Sequence, residues 1–290
     1  RNGGYTIATP STLILPNDTL LVVGEPRILE NVFRAIKKEP GQFPNPFGNN
    51  IYLALDMKLM SNNDIERLLS DTLELHKKLN SKKLYIKVVN PTLSKIFSDI
   101  KELRSDTIFI KIDYFSTTIS IQKSKMNELD IGLVVTNGTA FNLYKKGYEA
   151  LKVPVLKIGT SGLNSVKKGV ILGDKTDAES NSSVIMDCCK QLDFSIDFYH
   201  FDNKFDDDSK ELREHFESLS KIFDKKVNIV NDGTNPLIKL KNNENILQFL
   251  SFSSKIMDSK FGAIFSKDIN RLHYILGDSY QLFIPQNDKI

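Results

Sequence analysis

The chain has 290 residues, 40% of them hydrophobic and 26% charged, the proportions of a folded globular protein with more than one core rather than of a disordered one. Its 39 basic and 36 acidic residues leave a net charge of +3 and are scattered, so there is no broad field for a nucleic-acid backbone or an anionic lipid surface. The two cysteines, Cys188 and Cys189, are neighbours and exclude a disulfide framework, and no apolar run reaches the roughly 18 residues of a membrane span.

Residues 1–40 read as strand, turn, strand and helix. The strands are expected at Tyr5–Thr9 and Thr19–Val23, and the helix from Pro26, with Ile28, Leu29, Val32, Phe33 and Ile36 on one stripe. A hairpin with one helix buries little surface, so this stretch reads as a fragment of a larger module. Arg1 is not an initiator methionine, and an upstream segment is expected. Residues 41–50, with prolines at 44 and 46 and glycines at 41 and 48, form a predicted linker.

From Ile51 onward short β-branched runs alternate with amphipathic helices, the pattern of parallel βα units. Strands are predicted at Ile51–Leu55, Lys83–Val89, Thr107–Asp113, Ile131–Val135 and Val153–Ile158. The strongest helix runs from Asn63 to Leu79, capped by Asn62 or Asn63, with Ile65, Leu68, Leu69, Thr72, Leu75, His76 and Leu79 along one face. Gly159–Ser165 reads as a flexible link. The same order then returns, with strands at Gly169–Leu172, Phe194–Phe201, Val227–Val230, Gly262–Phe265 and Gln281–Ile284, and helices at Ala178–Leu192 and Asp208–Phe223. In the first of these helices Cys188 and Cys189 lie among apolar residues and read as core. The expected domains are residues 51–160 and 169–290, joined by 161–168, and a duplicated unit is expected to pair about a pseudo-twofold axis.

Ligands of open parallel sheets sit at the carboxyl ends of strands near the point where strand order reverses. The residues there are Asp56 after the first strand, Asp174 after its counterpart, and Thr136, Asn137, Gly138 and Thr139 after the fourth strand. A carboxylate suits a base or ribose and a glycine with two hydroxyls suits an anion, while capping and turn formation explain the same residue types. These six residues are the candidate ligand contacts. No catalytic or metal set accompanies them: His76, His200, His215 and His273 lack ligand spacing, Asp206–Asp208 reads as a helix start, and no phosphate-loop or nucleophile-elbow motif occurs. The reading is therefore of a binding protein, not an enzyme.

Two stretches resemble known families. Gly4–Pro10 together with Leu15–Glu30, through its Pro16-Asn17-Asp18-Thr19-Leu20-Leu21-Val22-Val23-Gly24 phrase, resembles the second half of the TrkA C-terminal (RCK C-terminal) domain of potassium-transport proteins. The resemblance implies a small α+β module that binds small ligands or ions and dimerises in the cytosol, beside a potassium channel or transporter subunit. Ile51–Asp56, Asp130–Gly138 and Val153–Leu156 are similar to the first, fourth and last strands of the universal stress protein fold, an adenine-nucleotide α-hydrolase-like open sheet. That similarity implies an adenine nucleotide as ligand, with Asp56 near the base. Phe141 and Leu151 stand where that family's phosphate cradle has glycines, and a Cβ there obstructs close approach of phosphate to the backbone.

Together these readings describe a cytoplasmic ligand-sensing regulator of potassium transport, itself peripheral to the inner membrane at most, with a small-molecule ligand, no nucleic-acid partner and homodimerisation through its N-terminal module. A nucleotide-binding stress-type protein without a transport role is the alternative reading. A hydrolase or transferase acting in a cleft between the halves is the third.

Overall fold

The computed structural model describes residues 7–9, 21–25, 29, 43–79, 82–119, 121–172, 175–200, 215–217, 219–220, 223–231, 235–253, 256 and 272–286. Two compact units make up the chain, Arg1–Glu39 and Pro40–Ile290. In the first, Leu29 is helical, while Ile7–Thr9 and Leu21–Val23 carry no strand pairing. The rest of the two strands expected there lies outside the described residues.

Among the described residues, the second unit is built on one sheet of ten strands. The first five are β1 (Asn50–Asp56), β2 (Leu84–Val89), β3 (Ile108–Asp113), β4 (Ile131–Thr136) and β5 (Val155–Lys157). The second five are β6 (Lys168–Leu172), β7 (Ser195–His200), β8 (Val227–Asn231), β9 (Ile246–Phe252) and β10 (Tyr280–Pro285). The order across the sheet is β3-β2-β1-β4-β5-β10-β9-β6-β7-β8. Read inward from either edge, the two halves repeat one order. They meet through β5 and β10, which pair antiparallel with Leu156 opposite Leu282, and the other recorded strand pairs are parallel.

The sequence explains the layers. β1 and β4 are apolar on both faces, and nearly all of their residues are buried, as a parallel strand covered on both sides requires. Helices α1 (Asn62–Lys78), α2 (Lys95–Glu102) and α5 (Lys175–Leu192) share one core with Leu53, Leu55, Ile86 and Phe198. Helices α3 (Lys123–Glu128) and α4 (Gly138–Leu151) pack on the opposite face over Tyr52 and Ala54. A short helix, α6 (Pro236–Leu240), covers Val170, Leu172 and Tyr199. The stripe expected on α1 is buried apart from His76, which is half-buried, and the cap is Ser61, whose hydroxyl accepts from the Asp64 amide at 3.2 Å, and not Asn62 or Asn63. Both cysteines are fully buried on α5, and desolvation pushes their thiols well above the usual range, which makes them core residues.

Three expectations change. The fourth strand of the second half is β9, while the expected Gly262–Phe265 lies outside the described residues, as does most of the helix expected at Asp208–Phe223. The segment before β1 is not a loose linker: Phe43 is buried, its amide donates to Asp187 of α5 at 2.6 Å, and its carbonyl accepts from Gln191. Backbone there comes so close to β4 that a Cβ on Gly132 would overlap the Gly48 carbonyl oxygen. The link between halves is pinned as well. Leu163 is buried and its amide donates to Asp71 of α1 at 2.9 Å, and Thr160 and Ser161 hold Glu244. Tyr280 of β10 donates to the same Asp71 at 2.5 Å, so one carboxylate ties α1, the link and the second half together.

Candidate functional site

Strand order reverses between β1 and β4, whose carboxyl ends therefore form the edge at which ligands of such sheets bind. The fold brings five of the six expected residues to that edge. Asp56 closes β1, Thr136 closes β4, and Asn137, Gly138 and Thr139 open α4. Asp174 lies outside the described residues.

Each of these side chains has a local task. Asp56 is buried, and its Oδ1 accepts from the amides of Lys58 (3.0 Å) and Leu59 (3.2 Å) and from Asn90 Nδ2 (2.8 Å), so it shapes the turn after β1 while Oδ2 takes none of these bonds. Asn90 is not apparent from the sequence. It sits after β2 with φ of 49°, a conformation Asn tolerates, and its amide also donates to the Thr117 carbonyl. Asn137 caps α4, its Oδ1 accepting from the Ala140 amide at 2.9 Å. Asn137→Ala is expected to cost about 1 kcal/mol of stability, read as a lower chemical-denaturation midpoint. Thr136 Oγ1 lies 3.2 Å from the Tyr148 hydroxyl, and burial pushes that phenol up to about 12. Gly138 faces open space, and Thr139 is exposed.

The places where the sequence departs from a phosphate cradle have a structural occupation. Phe141, buried on α4, stacks on Phe283 of β10 with ring centroids 4.3 Å apart and lies 6.0 Å from Phe252 of β9. Leu151, at the end of α4, is buried in the same cluster. The missing glycines thus coincide with side chains that fill the core, and Phe141 joins first half to second.

Beside them runs a row of buried polar residues that crosses the joint. Pairing places Thr136 of β4 beside Lys157 of β5, Lys157 opposite Gln281 of β10, and Gln281 beside Gln248 of β9. Lys157 Nζ donates to the Gly277 carbonyl at 2.5 Å, and burial pulls its pKa down from 10.5 to about 8 against the attraction of Asp278. Gln281 Nε2 donates to Gln248 Oε1 (2.8 Å) and the His273 carbonyl (2.7 Å), while Gln281 Oε1 and Gln248 Nε2 have no partner among the described residues.

The matching edge of the second half lies between β6 and β9. Asn181 donates to Ser251 at 3.0 Å beside a cavity of about 10 Å³, room for one water at most. Among the described residues no group of His, Cys, Asp and Glu could hold a metal ion, and no helix is long and apolar enough to cross a membrane.

The order of strands and the placement of helices define a universal stress protein-like fold. Among solved structures, the chain is similar to a universal stress protein from Archaeoglobus fulgidus DSM 4304, with TM-score 0.53 and 12% identity over 84% of this chain and 99% of that one. It is similar at TM-score 0.50 and 12% identity to a functionally unknown protein from Pseudomonas aeruginosa PAO1, over 82% of this chain and 92% of that one. The same TM-score, at 10% identity, relates it to the cytoplasmic domain of a prokaryotic cation chloride cotransporter, over 81% of this chain and 95% of that domain. At these identities the likeness is one of fold. No protein-family model matches the chain, and no curated protein sequence does.

Proposed function

We propose that the chain is a cytosolic regulatory module of cation transport, potassium transport first, that responds to a small ligand or a partner and does not turn over a substrate. The observation that carries this reading is the joint: two repeats of one strand order merge into a single sheet through β5 and β10, with Phe141, Lys157 and Asp71 spanning them. Such a body is suited to transmit a change at one edge to the other half. The resemblance of Gly4–Glu30 to a potassium-transport regulatory module supplies the direction, and a transporter's cytoplasmic domain with a similar fold supports it. The chain acts as a homodimer held through its N-terminal module.

The test is rubidium flux through the potassium transport system of the host cell, with and without the gene for this chain. A changed flux or a changed potassium dependence is expected, and identical flux under both conditions would overturn the reading. The alternative, a nucleotide-binding protein without a transport role, is favoured by Asp56 Oδ2 and the open space at Gly138. It requires ATP, AMP, NAD or a cyclic dinucleotide to raise the melting temperature, and Gly138→Val to remove that rise.

A further inference from the structure

The outward side of α4 carries two residues that helix stability alone does not account for. Gly147 lies in the helix interior, where glycine is the least favourable residue after proline, and Leu143, one turn before it, is 61% exposed. Packing within the chain asks for neither. The buried residues of α4 are Ala140, Phe141, Tyr148 and Leu151. At Gly147 the atoms nearest an added Cβ belong to the Ile121 side chain, Cδ1 at 3.4 Å, and no backbone lies among them. What the glycine provides is room. It borders a groove of about 320 Å³ between α4 and the segment joining β3 to α3, which holds Ile119 and Ile121. That volume is at the small end of the range of about 300–1,000 Å³ for sites that enclose small molecules. The far wall is fixed, since Ile119 is buried and its amide donates to the Tyr144 hydroxyl at 3.3 Å.

The lining divides into an apolar side and a polar rim. Ile121, Leu143 and the Tyr144 ring supply the first, and Asn142, Lys145 and Lys146 the second. Among the described residues no carboxylate lines the groove. The one acidic residue of α4, Glu149, is three residues from Lys146 and so within reach of it, yet it pairs with Lys152 at 2.6 Å. Lys145 Nζ donates to the Ile256 carbonyl at 3.2 Å. Lys146 is exposed and joins no ion pair among the described residues. One ammonium beside an amide, over an apolar wall in a small groove, suits a single negative charge on an apolar body rather than a dianion or a length of polypeptide.

We propose that the α4 groove binds a small apolar monocarboxylate, its hydrocarbon between Leu143 and Ile121 over Gly147 and its carboxylate at the Lys146 and Asn142 rim. The bound molecule covers the exposed Leu143 and uses the space that Gly147 leaves. The groove shares no residue with the β1–β4 edge, and it stands whether or not the chain regulates transport.

Isothermal titration of the full chain with octanoate, octanol, octylammonium and acetate tests it, with amide NMR to locate the binding. Octanoate is expected to bind, with shifts centred on residues 119–121 and 142–147. Octanol should bind about fivefold more weakly, octylammonium more weakly still, and acetate not measurably. Lys146→Gln should bring octanoate down to the level of octanol while leaving octanol unchanged, a split that a general loss of structure does not produce. Leu143→Ser, at an exposed position, should weaken both about fivefold. Gly147→Leu should fill the groove and remove binding, and Gly147→Ala should weaken octanoate while raising the melting temperature of the ligand-free chain. Octanoate binding no tighter than acetate, octylammonium matching octanoate, shifts centred on the β1–β4 edge, or an affinity unchanged by Lys146→Gln, Leu143→Ser and Gly147→Ala would each overturn the proposal.

Discussion

Phe141→Ala is expected to lower the stability of residues 40–290 by about 3–5 kcal/mol, the range for truncating a fully buried phenylalanine. The cost should sit near the top of that range because the ring serves both halves. It leaves α4 of the first half, stacks on Phe283, and touches the Phe252 and Tyr148 rings at 6.0 and 6.3 Å. Phe283 and Phe252 belong to strands held by ladder hydrogen bonds, so the space cannot easily collapse. Denaturation followed by tyrosine fluorescence and by far-UV circular dichroism should give one coincident transition for the parent chain. In Phe141→Ala the two probes should separate as the halves lose their coupling. Phe141→Leu, which keeps most of the volume, should cost far less. A loss below about 1 kcal/mol for Phe141→Ala would mean that α4 does not hold the halves together.

Much of this fold is legible in the amino-acid sequence alone. Helical spacing in α1 and the β-branched runs of β1, β2, β4, β6 and β10 identify those elements, because each buries its apolar side chains against the sheet or a facing helix. The strand tips follow from the strands, and five of the six candidate residues reach one edge. What the sequence hides are interactions between distant segments. β9 reads Ile-Leu-Gln-Phe-Leu-Ser-Phe, with polar residues three apart, which breaks a two-residue alternation. The strand is nevertheless buried on both faces, since Gln248 finds Gln281, 33 residues away, and Ser251 finds Asn181, 70 residues away. Phe141 reads as a lost glycine and is in fact a strut, a role visible only once β10 lies beside β5. Asp71 lies off the expected apolar stripe of α1 and is buried because the link and Tyr280 are placed on it.

Lys157→Met should make the protein more stable at pH 7, by up to about 3 kcal/mol, although it removes a hydrogen bond. A fall in pKa from 10.5 to about 8 states that the fold opposes the charge on this ammonium. The Gly277 carbonyl satisfies one N–H and Asp278 attracts the charge, yet neither offsets the desolvation. Methionine has similar length and no charge to bury. The sign of the pH dependence follows from proton counting: between about 8 and 10.5 the unfolded chain holds a proton that the folded chain has released. Stability from this group therefore rises with pH through that window, is complete above it, and is absent below about 8. Other groups act in the opposite direction. The buried thiols of Cys188 and Cys189 and the phenols of Tyr52, Tyr148 and Tyr280 keep their protons longer in the folded state, so they reduce stability as the solution becomes alkaline. The difference between parent and Lys157→Met, measured by urea denaturation at pH 7, 8, 9 and 10, cancels those contributions. The advantage of the variant should be constant up to about pH 8 and shrink steadily above it. An advantage that does not change across this range, or a variant less stable than the parent at pH 7, would show that the ammonium is welcome where it sits and that the joint between the halves is built around its charge.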